Sequence, residues 1–162
     1  MARDTLSLDP PLDARRVYED PVFLACAGMG LTFWAVLAPF LSAHPRDMNQ
    51  ILSWSLLSVT VWQPILEEIL FRDVLQTTLL RTSWGARRLS FVSVANVTTS
   101  CAFSAAHLGS HAPAWAALVF FPSLLFGTLR DRFDSIAPSV LLHVFYNGGY
   151  FLLVGIPMPT SS

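Results

Sequence analysis

Three short stretches carry side chains whose types and spacing could do chemistry. The first is Glu67-Glu68-Ile69-Leu70-Phe71-Arg72, the second Phe103-Ser104-Ala105-Ala106-His107, and the third His143-Val144-Phe145-Tyr146-Asn147. On a helix, Glu68 and Arg72 stand at i and i+4 with the acid first, the favourable order for an ion pair. Glu67 points about 100° away and meets Phe71 at i+4. Glu68 is therefore expected to be tied to Arg72, leaving Glu67 free to face a cavity. Phe103 and His107 share one face, and the small residues between them allow a neighbouring helix to approach closely. His143 and Asn147 place an imidazole and a carboxamide one turn apart. An acid, two imidazoles and a carboxamide inside membrane spans are costly to bury and are functional candidates by default.

Plainer readings exist for each stretch alone. The acids and Arg72 could mark the place where a long helix leaves the bilayer. His107 could be a hydrogen-bonded structural histidine. Asp73 reads as a packing or supporting acid. His44 and His111 fall in loops and read as solvated. Cys26 and Cys101 lie in apolar runs without CxxC spacing and read as small buried hydrophobes.

The elements that must position these groups follow from where charge is missing. The chain has 162 residues, 53% of them hydrophobic and 13% charged, with a net charge of −1. That composition excludes a disordered chain, a nucleic-acid binder and an ordinary soluble domain. No charged residue occurs in 21–45, 48–66, 89–129 or 135–162. A crossing helix needs about 20 apolar residues. The expected fold is all-α, a polytopic transmembrane bundle of about five spans: Val22–Leu41, Ile51–Leu80, Phe91–Leu108, Ala114–Leu129 and Pro138–Gly155. The second exceeds one crossing, so tilt or projection is expected, and Pro64 is placed to kink or widen it just before the acids. Barrel strands are disfavoured because the runs lack alternation. Residues 1–20 read as a short cytoplasmic segment, 21–157 as the transmembrane domain and 158–162 as a tail. The first apolar run is too long for a cleaved signal peptide.

All ten basic residues are Arg. Arg3, Arg15, Arg16, Arg81, Arg87, Arg88, Arg130 and Arg132 fall on one side of a five-span bundle, against Arg46 on the other. The positive-inside rule puts the larger group, and the N-terminus, in the cytoplasm. Counting from these bounds puts His107 near the outer end of the third span and His143 nearer the inner end of the fifth.

In this order, the three stretches resemble the motifs of the CPBP family, the CAAX-protease and bacteriocin-processing intramembrane endopeptidases. The resemblance covers roughly residues 51–150 and includes the stretch from Gly127 to Pro138. It implies hydrolysis of a peptide bond in a membrane-anchored or lipidated substrate. It implies that Glu67 and His107 activate water, that His143 and Asn147 polarise the scissile carbonyl, and that Glu68 and Arg72 orient the site. No cofactor is the favoured expectation. The alternative is zinc held by Glu67, His107 and His143, although no His-Glu-x-x-His helix is present. Expected partners are membrane lipids and a membrane-anchored peptide or protein, with no nucleic acid. The expected location is a prokaryotic inner membrane. A non-catalytic immunity or scaffold protein of the same fold is the second reading. A proton- or metal-coupled transporter is the third, weakened by the absence of an inverted repeat.

Overall fold

The computed structural model describes residues 14–40 and 53–154. Arg3, His44, Pro45, Arg46 and the tail at 158–162 lie outside the described residues, as do the start of the second expected span and the end of the fifth. The described chain is all-helical apart from one two-residue strand pair.

Helix α1 (Ala14–Tyr18) leads into α2 (Pro21–Leu37). Pro21 opens α2 where a missing N–H costs nothing, and the Asp20 carboxylate accepts from the N–H groups of Val22 and Phe23 at 2.9 and 3.2 Å. Arg132 donates to both oxygens of the same carboxylate at 2.7–3.0 Å, tying the start of α2 to a distant helix. That guanidinium holds the Asp20 carboxyl below its ordinary range.

The second expected span is one long helical run, α3, over residues 54–80, capped by Ser53. It is not a uniform α-helix. Two π-helical segments, Ser58–Trp62 and Ile69–Gln76, flank the turn that carries the acids. In an α-helix a row of every fourth residue drifts by about 40° per step. The i→i+5 bonds of π turns wind more slowly and oppose that drift. Thr60, Pro64, Glu68, Arg72 and Gln76 accordingly form one buried stripe along the run.

The third expected span starts later than the charge gap suggested. Residues 88–93 form a tight antiparallel pair, β1 (Arg88–Leu89) and β2 (Val92–Ser93), with Ser90 at φ 62° in the turn. Ser93 then caps α4 (Val94–His107) through the Asn96 N–H. The fourth expected span is a pair of helices in series, α5 (Pro113–Leu118) and α6 (Phe120–Phe133), offset at Val119. Pro122 lacks the N–H that would continue the ladder across that junction. Asp134, left-handed at φ 48°, ends α6, and α7 (Ala137–Val154) follows.

Helix α6 lies at the centre and packs against α2, α3, α4 and α7. The apolar core is small: Val17, Phe23, Cys26, Phe126, Leu129 and Leu142. Around α6 the interior is otherwise polar. Glu68, Arg72, Gln76, Asn96, Ser100, Ser123 and Ser139 are all fully buried. The outside carries Leu24, Met29, Phe33, Trp54, Trp62, Leu66, Leu70, Phe121 and Leu152. Polar groups inside and large apolar groups outside is the distribution expected when the surrounding solvent is lipid. Cys26 is buried, as expected, but Cys101 is exposed.

Among the described residues only Pro113–Phe133 is both long and apolar enough to cross a membrane, and Pro21–Leu37 is apolar but shorter. Helix α4, with 14 residues, spans about 21 Å at about 1.5 Å per residue, less than a hydrocarbon core of about 30 Å.

Candidate active site

The motifs converge where α3, α4, α6 and α7 meet. Glu68, in the α-helical turn of α3, accepts from Arg72 Nε at 3.3 Å, and both side chains are fully buried. This is the intrahelical pair expected from the sequence. The structure adds a second partner, since Glu68 Oε1 lies 3.0 Å from His143 Nδ1 on α7. The remaining donors of Arg72 are also used. Nη2 donates to Ser123 Oγ at 2.6 Å and to the Ser123 carbonyl at 3.0 Å, and Nη1 donates to Gln76 Oε1 at 3.3 Å. A buried pair with its other donors satisfied is costly to break and rigid while intact.

Gln76 extends the network. Its amide donates to the Gly127 carbonyl at 2.9 Å and to Asp131 Oδ1 at 2.7 Å. A Cβ at Gly127 would collide with Asn96 and lie 2.8 Å from Gln76 Oε1, so only glycine lets both side chains reach the backbone of α6. Asn96 donates to the Leu124 carbonyl at 3.0 Å from the α4 side. Sequence reasoning missed Gln76, Asn96 and Ser123. Their signal was the run of polar residues every fourth position along α3 and the polar residues inside otherwise apolar α4 and α6.

Glu67 is freed as its neighbour is tied. Its carboxylate is 28% exposed, and Oε2 faces His143 Nε2 at 3.6 Å. That separation is longer than a direct hydrogen bond. His143 therefore sits between two acids, Glu68 on Nδ1 and Glu67 on Nε2. Its ring stacks on Phe126 at 4.6 Å and 20°, which fixes the plane in which both nitrogens point. Since a carboxylate only accepts, Nδ1 carries the hydrogen toward Glu68, and Nε2 is the nitrogen left for chemistry.

His107 ends α4, and its Nδ1 donates to the Phe103 carbonyl at 2.9 Å. In the neutral ring Nε2 is then unprotonated and available to accept. The Phe103 ring lies 4.6 Å from His107 and 6.0 Å from His143, so one aromatic side chain touches both imidazoles. The two imidazoles, expected at different depths, meet across the Phe103 ring. Glu67 lies within electrostatic range of His143, His107 and also His111. His111 was expected to be merely solvated. It is exposed, yet its ring lies 5.5 Å from that of His107 in a tilted contact.

Asn147 donates its amide to the Val59 carbonyl at 3.0 Å. One amide hydrogen is thus engaged with α3 and the second is free for another acceptor. Asp73 is exposed on α3. Among the described residues no three His, Cys, Asp or Glu side chains form a group that could hold a metal ion.

A family model, the type II CAAX prenyl endopeptidase Rce1-like model, matches residues 49–149. The chain belongs to that family. The match spans all three motifs and stops two residues past Asn147. Rce1-like proteins are membrane-integral, helical proteases, which agrees with the polar interior and apolar exterior seen here. No curated protein and no solved structure matches the chain.

Proposed function

We propose that this protein is an intramembrane endopeptidase that hydrolyses a peptide bond of a membrane-anchored or lipidated substrate, with water activated by Glu67 and His107 and without a metal. The observation that carries the reading is the face-to-face placement of Glu67 and His143 at 3.6 Å, with His143 locked from behind by a buried Glu68–Arg72 pair.

Charge balance gives that placement its chemistry. Glu68 and Arg72 cancel. Glu67 and His143 then need one proton between them for the buried cluster to stay neutral. With the proton on His143 Nε2, Glu67 is a base and His143 is a donor. A water beside Glu67 and His107 Nε2 loses a proton to Glu67 as its oxygen attacks the scissile carbonyl carbon. The carbonyl oxygen becomes the oxyanion and accepts from His143 Nε2–H and from the free amide hydrogen of Asn147. Collapse breaks the C–N bond, and Glu67 returns its proton to the leaving amine. Phe126, Phe103 and the surrounding helices limit water, so each of these interactions is stronger than it would be in bulk solvent.

The exposed apolar exterior supports an integral position with lipid around it, and the five-span topology with a cytoplasmic N-terminus remains our reading of the charge gaps. A prokaryotic inner membrane is proposed as the location. The test is cleavage of a membrane-anchored peptide by purified protein in lipid. Glu67→Gln should abolish it while leaving the fold intact. Absence of cleavage by the wild type would remove the hydrolytic reading and favour a binding or scaffold role for the same fold, and full cleavage by Glu67→Gln would remove Glu67 as the base.

A further inference from the structure

Resting on the hydrolytic reading, we propose that His111 is a positioning residue for His107. The turn after α4 carries a second imidazole that braces the first.

His107 is the last residue of its helix. Its side chain leans back over the preceding turn, and the direction of its ring depends on the support found there and beyond. One hydrogen bond to the Phe103 carbonyl and one contact with the Phe103 ring, at 4.6 Å and tilted by 41°, provide part of it. The chain beyond provides the rest. The N–H groups of Ser110 and His111 both donate to the His107 carbonyl, at 3.2 and 2.9 Å. The His111 bond closes a single i+4 turn just past α4 and brings the two imidazoles together. Their centroids are 5.5 Å apart with planes tilted by 38°, within the range of aromatic contact.

The brace is itself held. Ser110 Oγ lies 2.9 Å from His111 Nδ1, and Pro113 begins α5 two residues on, which limits how far the turn can unwind. His111 is exposed and is not expected to carry stability, and a solvated loop histidine would not need a hydroxyl partner and a ring partner together. What the arrangement fixes is the direction of His107 Nε2, the atom that must meet the attacking water.

The experiment uses the full chain in lipid with a fluorogenic membrane-anchored peptide, comparing wild type, His111→Ala, His111→Phe and Glu67→Gln. Misdirection of a catalytic group by a fraction of an ångström costs on the order of tenfold in rate. His111→Ala is expected to lower kcat by about tenfold with KM little changed, and His111→Phe, which keeps a ring but neither nitrogen, to recover most of that loss. Wild-type kcat in His111→Ala, equal loss in Ala and Phe variants, or a change confined to KM would each overturn the proposal. Glu67→Gln separates the two claims. If the wild type does not cleave, the hydrolytic reading falls, and if Glu67→Gln cleaves as the wild type does, Glu67 is not the base. If that variant is inactive while His111→Ala is fully active, only the positioning role falls.

Discussion

Asn147 on α7 caps the Val59 carbonyl of α3 at 3.0 Å, and the reason that carbonyl is open lies five residues further along α3. In the π segment the Gln63 N–H bonds to the Ser58 carbonyl. The next bond in that i→i+5 series would run from residue 64 to Val59, and residue 64 is proline, which has no N–H. The proline thus creates an acceptor inside the bundle, and the last motif residue fills it. π turns recur at functional sites, and here one carries the carbonyl that Asn147 reaches.

Pro64→Ala should therefore lower activity without lowering stability. It restores an N–H that competes with Asn147 for the Val59 carbonyl. The expected result is a several-fold loss of kcat with an unchanged or higher thermal midpoint in detergent. A fall in both would mean that Pro64 matters for folding alone.

The Glu68–Arg72 pair predicts an asymmetry between single and double variants. Arg72→Met leaves an uncompensated buried carboxylate and should destabilise the chain by about 3–5 kcal/mol. Glu68→Leu combined with Arg72→Met removes both charges and should recover much of that loss in a denaturation series. Cleavage should not recover, because His143 loses the acceptor on Nδ1 that fixes its ring.

Glu67→Gln keeps size and shape but cannot take a proton from water. Loss of a general base of this kind costs about 10²–10⁴ in rate. The variant should retain the wild-type thermal midpoint and accumulate uncleaved substrate in a membrane-proteome comparison. In the same reaction a chelator should leave the wild-type rate unchanged, and loss of activity restored by added zinc would refute the metal-free scheme.

Gly127→Ala should destabilise the bundle, because the added methyl group occupies the space of the Asn96 amide. Overpacking of this kind typically costs about 1–3 kcal/mol. A thermal midpoint equal to wild type would show that α6 can shift away from α4 at no cost.

The Asp20–Arg132 pair carries a pH signature. The folded-state carboxyl is held below the ordinary value of 3.8 by Arg132. Its contribution is present above the ordinary value and is lost as pH falls through the depressed folded one. The Arg132 guanidinium is about half exposed, so solvent screening holds the effect to about 1 kcal/mol or less. Thermal midpoints of wild type and Asp20→Asn should differ at pH 6 and converge as pH falls below the ordinary carboxyl value through the depressed folded one.

The sequence by itself determined the helical class, the three motifs and the pairing of Glu68 with Arg72, because these depend on charge placement and on the i, i+4 geometry of a single helix. It also marked Pro64 as the place where α3 would be disturbed. It did not show that Glu68 serves His143 as well as Arg72, that Phe103 bridges two imidazoles, or that His111 returns to His107. Nor did it locate the two-residue strand turn that delays α4, or the break at Val119. Those relations join residues 40–80 positions apart or depend on how a turn closes, and local periodicity carries no information about either. Tertiary packing decided them, because a polar interior between helices leaves each donor only the acceptors that its neighbours present.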